Sequence, residues 1–147
     1  MLEYWDTSCL LKLYCLEEDS HDFLALLANA DTPPVTSKLS VTELYFAFQQ
    51  KMRRGETQGQ SPTALFSYFE NDLECNRICL LPWGDDVFKK ARELADICYS
   101  DPRAPVLLRS LDGIHLASAI LASCKRIHSS DDRMNQAIKK LGLNGST

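Results

Sequence analysis

The stretch Met1-Leu2-Glu3-Tyr4-Trp5-Asp6-Thr7-Ser8 passes from apolar and aromatic residues into an acid and two hydroxyls. After it, Leu10, Leu11, Leu13, Tyr14 and Leu16 recur at helical spacing. It reads as strand, turn, helix. The acid at the hand-over has three counterparts, because Glu43, Asp112 and Asp131 also sit where a strand-like run gives way to a helix-like one. In a sheet of mainly parallel strands every such hand-over falls on the same edge, so four carboxylates scattered along the chain would converge in space. Clustered carboxylates suit a divalent cation such as Mg²⁺ or Mn²⁺, and a cation held with open positions does phosphate chemistry.

Working outward, a helix is expected from Ser20 to about Asn29, ended by Thr32-Pro33-Pro34, then a brief strand from Val35 to Ser37. Leu39, Val41, Leu44, Tyr45, Phe48 and Met52 follow the 3.6-residue period from Lys38 to Arg54, and Gly55 closes that helix. A polar loop runs from Gly55 to Pro62, followed by a short amphipathic helix from Ala64 to Glu74 and a strand from Ile78 to Pro82. A helix from Asp85 or Asp86 to about Tyr99 follows, then an apolar stretch from Val106 to Leu108. The helix from Leu111 to Cys124 is nearly uncharged and apolar around most of its circumference, which marks it as the buried one. A strand from Arg126 to Ser129 and a helix from Arg133 to Leu141 complete the chain. Strands alternating with helices predict an α/β domain: a central, mainly parallel sheet of short strands flanked by helices on both faces, with residues 1–147 as one domain.

A chain of 147 residues buries roughly 70% of the surface its unfolded form exposes, so no disulfide scaffold is needed. Its six cysteines are dispersed among apolar neighbours, without the pairwise spacing of a zinc knuckle, and are expected to be buried or half-buried thiols in a reducing cytoplasm. No signal-like N-terminus or membrane-length apolar run is present, so no membrane role is expected. A net charge of −4 argues against a protein that coats nucleic acid, yet leaves room for a nuclease whose carboxylates are neutralised by metal. Lys51, Arg53, Arg54, Lys89, Lys90, Arg103 and Arg109 read first as solvated helix faces and second as groups that steer a phosphate backbone.

Each acid also has a purely structural reading. Asp6 and Asp131 suit helix N-caps, Asp112 suits a first turn, and Glu43 suits the third position of a capping box begun by Ser40. If Ser37 starts the helix instead, Glu43 lies more than a turn inside it and faces the strand ends. Asp112 leads the most apolar helix of the chain, where an unpaired charge is costly. No nucleophile elbow or phosphate-cradling glycine loop accompanies His21, His115 and His128. His115 shares a helical face with Asp112 and reads as a satisfied, half-buried histidine before it reads as a ligand.

Tyr4-Trp5-Asp6-Thr7-Ser8 with Leu10, Leu13, Tyr14 and Glu17 resembles the opening of PIN-domain ribonucleases, and especially of VapC-type toxins from toxin–antitoxin pairs. So do Ser37 with Glu43 and Leu44, the run from Leu108 to Ala119, and Ser129-Ser130-Asp131-Asp132-Arg133 with Ala137 and Leu141-Gly142-Leu143. The resemblance implies an endoribonuclease that cuts RNA with Mg²⁺ or Mn²⁺ held by Asp6, Glu43, Asp112 and Asp131, with Thr7 or Ser8 as a hydroxyl beside the metal. Asp132 competes with Asp131 as fourth ligand, although the hydroxyl-x-acid pattern of Ser129 and Asp131 favours the earlier one. Asn135, one turn further on, is an auxiliary polar candidate, and the family's last edge strand is expected to be short or absent.

The implied partners are an RNA substrate, a small antitoxin and a second copy of the chain. Tyr45, Phe46, Phe48, Phe66, Tyr68 and Phe69 exceed what one helical stripe needs. Most are expected in the core, and the rest on a dimer surface or in a groove for an antitoxin helix. Two alternatives remain: a PIN-like binding module whose acids are structural, and a metal-dependent phosphatase or DNA nuclease using the same cluster.

Overall fold

The computed structural model describes residues 1–145. Four strands of three residues each, β1 (Glu3–Trp5), β2 (Val35–Ser37), β3 (Cys79–Leu81) and β4 (Arg126–His128), form an all-parallel sheet in the order β3-β2-β1-β4. Tyr4 is central, opposite Val35 on one side and Ile127 on the other. Because β2 and β3 extend the sheet in one direction from β1 and β4 in the other, strand order reverses between β1 and β4. In an open parallel sheet such a reversal leaves a crevice at the carboxyl ends of the strands.

Among the described residues seven helices connect and cover these strands: α1 (Thr7–Tyr14), α2 (Ser20–Ala28), α3 (Leu39–Arg53), α4 (Pro62–Glu74), α5 (Asp85–Cys98), α6 (Ser110–Leu121) and α7 (Asp132–Lys140). The strand pleat sends Tyr4 and Trp5 to opposite faces, and each seeds a separate core. Trp5 packs with Leu10, Leu44, Phe48, Leu65 and Phe69 from α1, α3 and α4. Tyr4 packs with Val35, Leu94, Leu116, Ile127 and Ile138, so α5, α6 and α7 cover the other face. α6 packs on α5 at Gly113, where even a Cβ would stand 3.7 Å from the Ala91 Cβ, an ordinary contact distance. As its composition requires, α6 is the buried helix, with His115 to Ala119 all inside. No helix among the described residues is long and apolar enough to cross a membrane.

Three local expectations are revised. The third strand ends at Leu81 and α4 starts at Pro62, where Ser61 accepts the Ala64 N–H; proline fits the first turn because its missing N–H would be unpaired there anyway. Cys75 is exposed, because it caps α4 in the turn to β3 where nothing packs over it, whereas the other five thiols are buried or half-buried. The last edge strand is short, as expected: Gly145 makes one parallel bridge to Ile127, and anything further lies outside the described residues.

Candidate active site

Asp6 follows the last residue of β1, and its backbone N–H continues the ladder to His128 O. Its carboxylate caps α1 by accepting the Cys9 N–H at 3.2 Å and the Ser8 hydroxyl at 2.5 Å. The capping reading therefore holds, but it accounts for only part of this side chain. Burial pushes the Asp6 carboxyl above the ordinary carboxylate range, while hydrogen bonds from Ser129 and Ser8 and the proximity of His115 oppose the rise. Ser8 does a second job, since its oxygen accepts the Ser130 N–H and ties the end of β1 to the loop after β4.

Glu43 is not part of a capping box. Ser40 is buried within α3 and shares a hydrogen bond with Thr36, and the Ser37 hydroxyl accepts the Leu39 N–H. Freed from the helix end, Glu43 points toward the strand ends and takes the Thr7 hydroxyl at 2.7 Å and His115 Nε2 at 2.5 Å. Burial alone would raise its pKa, but His115 and Thr7, with a contribution from Arg109, hold it below the usual range. His115 is itself buried, and Tyr4 Oη lies 2.5 Å from its Nδ1. Because Tyr4 Oη accepts the Ser37 N–H, its own proton is free for Nδ1, and the satisfied arrangement has Nε2 donating to Glu43. The reading of His115 as a satisfied histidine fits, and its partner is one of the four acids.

Asp112 lies in the first turn of α6 and Asp131 caps α7, accepting the N–H groups of Arg133 and Met134. Arg109 joins them: its guanidinium stands 3.4 Å from Asp112 and 3.6 Å from Asp131. Burial raises the Asp112 carboxyl, Arg109 opposes this, and the charge of Asp131 raises it further, so the two acids share one electrostatic environment. Ser129 is buried and accepts the Asp131 N–H, and Asn135 donates to the Ser129 carbonyl, so both shape the β4–α7 loop. Asp132 is exposed on the first turn of α7, away from the bonds that hold Asp131.

The structure thus brings Asp6, Thr7 and Ser8 from β1–α1, Glu43 from α3, Asp112 from α6 and Asp131 from α7 to the carboxyl edge of the sheet, at its switch point. Their donors are hard oxygens, the set that suits Mg²⁺ or Mn²⁺ rather than zinc. The raised Asp6 and Asp112 carboxyls are groups that a cation would relieve. Among the described residues, however, no three acids, histidines or cysteines form a ready coordination group. Glu43 is tied to His115, and Asp112 and Asp131 are tied to Arg109. Reading the sequence missed the hydrogen-bonding roles of Tyr4 and Ser37 and the bridging role of Arg109. Arg109 carried one signal, its spacing three residues before Asp112, while the polar tip of Tyr4 gave no hint of a partner 111 residues away.

Comparison with known proteins supports this geometry at the level of family and fold. The PIN domain family model matches residues 4–140. Mycobacterium tuberculosis VapC20, a sarcin–ricin loop cleaving toxin, superposes with a TM-score of 0.65 at 15% identity over 92% of this chain and 94% of its own. VapBC-1 from nontypeable Haemophilus influenzae superposes with a TM-score of 0.69 at 14% identity, covering 99% and 97%. At such identities the likeness is one of fold. Curated protein sequences contain no match to the chain.

Proposed function

This chain belongs to the PIN-domain family, and from that premise we propose that it is a metal-dependent endoribonuclease, the toxin of a toxin–antitoxin pair acting in the cytoplasm. What supports the reading is that Asp6, Glu43, Asp112 and Asp131 all lie at the carboxyl ends of the parallel strands, with Glu43 held by Thr7 and His115 and with Arg109 bridging Asp112 and Asp131. The four acids would hold Mg²⁺ or Mn²⁺. When bound, such a cation polarises the scissile phosphodiester and lowers the pKa of a coordinated water.

The remaining contributions come from the chain. Ser8 and the Cys9 N–H hold one Asp6 oxygen in place, and Thr7 and His115 hold one Glu43 oxygen, so both carboxylates are aimed before substrate arrives. Arg109 neutralises Asp112 and Asp131 in the free protein, and on binding it can turn to a phosphate, for which a guanidinium is well shaped. In-line hydrolysis would leave a 5′-phosphate and a 3′-hydroxyl. Of the aromatics on α3 and α4, Phe46, two-thirds exposed, and Tyr68, half exposed, are those left open to an antitoxin or a second copy. Phe48 and Phe69 are fully buried and take no part in such a contact.

The test is cleavage of total RNA with Mn²⁺, Mg²⁺ or EDTA, wild type against Asp6→Asn, with single-stranded DNA and a phosphomonoester as controls. Metal-dependent RNA cleavage that drops more than about 100-fold in the variant is expected, since even outer partners of metal ligands cost about 10–100-fold. Cleavage by Asp6→Asn at the wild-type rate would refute the site. Hydrolysis confined to the DNA or the monoester would transfer the cluster to another reaction.

A further inference from the structure

Trp83 and Phe88 lie just beyond β3 on the same sheet edge as the acids, and the site described so far leaves them unused. They are large aromatics with substantial exposure, 44% and 37%, and they pack edge to face with ring centroids 5.3 Å apart. Trp83 is not loose. Its indole N–H donates to the Ser37 hydroxyl at 2.9 Å, and the Ser37 N–H donates to the Tyr4 hydroxyl that meets His115. The aromatic pair is thus three hydrogen bonds removed from the histidine that holds Glu43.

Phe88 also forms one wall of a groove of about 400 Å³ between α5 and the start of α6, within the size range of small-ligand sites. Its floor is the small pair Ala91 and Gly113, and the two charged residues lining it are both arginines, Arg92 and Arg109. The second of these is the residue that bridges Asp112 and Asp131, so groove and acid cluster share a wall. An apolar slot with an exposed aromatic face, rimmed by guanidinium groups and opening beside a proposed phosphodiester site, has the chemistry of a seat for an unstacked base and its flanking phosphates. A protein helix would not need the arginine rim.

We propose that Trp83, Phe88 and the α5–α6 groove form a base-stacking subsite that holds an unpaired nucleotide of single-stranded RNA next to the acidic cluster, with Arg92 and Arg109 on its phosphates. The proposal rests on the ribonuclease reading for its substrate class, and binding can be measured apart from cleavage. A fluorescein-labelled single-stranded RNA of about 8 nucleotides would be titrated in EDTA into wild type, Phe88→Leu, Phe88→Ala and Trp83→Leu, followed by anisotropy, with intrinsic tryptophan fluorescence read against the unlabelled oligonucleotide. Trp5 is buried, so quenching reports on Trp83. Phe88→Leu keeps apolar bulk without the ring, and melting curves for each variant verify folding. The expected result is quenching in the wild type and binding weakened about fivefold or more in each variant. Unchanged affinity in folded Phe88→Leu and Trp83→Leu would overturn the subsite even if the protein cleaves RNA. Quenching with ring-dependent binding but no cleavage in Mn²⁺ would keep the subsite and remove the nuclease reading. Quenching by an apolar helical peptide and not by RNA would make the groove a protein surface and overturn the proposal.

Discussion

His115 on α6 and Glu43 on α3 meet 2.5 Å apart over the carboxyl edge of the sheet, although 72 residues separate them. This pairing ties the helices of one face to those of the other through a proposed metal ligand. It makes the site's geometry part of the fold's own hydrogen-bond network, since His115 is held in turn by Tyr4 at the centre of the sheet.

Tyr4→Phe should therefore disturb both stability and site. It removes the acceptor of the buried Ser37 N–H and the partner of His115 Nδ1 while keeping the ring's packing. Leaving a buried polar group unpaired costs about 1–3 kcal/mol, so urea unfolding should show a loss of that order. A variant as stable as wild type would mean that the two groups find other partners.

Asp112→Asn is expected to stabilise the metal-free protein at neutral pH. The folded-state pKa of Asp112 is raised, chiefly by burial, so its ionised form is penalised in the fold. The penalty is absent below the unfolded value of about 4 and complete above the folded one. The variant's advantage in melting temperature should thus vanish near pH 3 and grow as pH rises through the carboxyl range. An advantage independent of pH would assign it to something other than charge.

Metal should compete with Arg109. Mn²⁺ at about 100 times its Kd would stabilise the protein by about 2.7 kcal/mol, roughly 5–10 °C in melting temperature. Arg109→Gln should bind Mn²⁺ more tightly by up to about fivefold, because exposed ion pairs contribute about 0.2–1 kcal/mol. Weaker metal binding in the variant would show that Arg109 orders the acids rather than blocking them.

In a bacterial cytosol, induction of the wild type should arrest growth and Asp112→Asn should not. An antitoxin should restore growth by covering Phe46 and bringing a basic residue, in the form of an arginine, to the acids, so that its inhibition of cleavage weakens as metal rises. Equal growth of the two strains would remove the toxin reading and leave a ribonuclease.

The sequence by itself determined the order and type of the elements, because each has a local cause. Each strand is a three-residue run with at least one apolar or aromatic residue, such as Tyr4, Val35, Leu80 or Ile127, bounded by a polar turn or, at Pro34 and Pro82, by a proline. Asp6, Ser61 and Asp131 cap helices through their own side chains, and the uncharged run around Leu116 has nowhere to lie but inside. It also placed the four acids at helix starts or one turn in, where a parallel sheet must gather them. What only the tertiary structure decided is how these acids are held. Hydrogen bonds such as Tyr4 to His115 and Trp83 to Ser37 join residues far apart in the chain, and no periodicity encodes such a pairing. The strand order β3-β2-β1-β4 sets Asp6 beside the β4–α7 loop, and burial then turns a helix cap into a carboxylate with a raised pKa. Propensity and capping act over a few residues, whereas desolvation and side-chain pairing depend on which surfaces meet once the chain has closed.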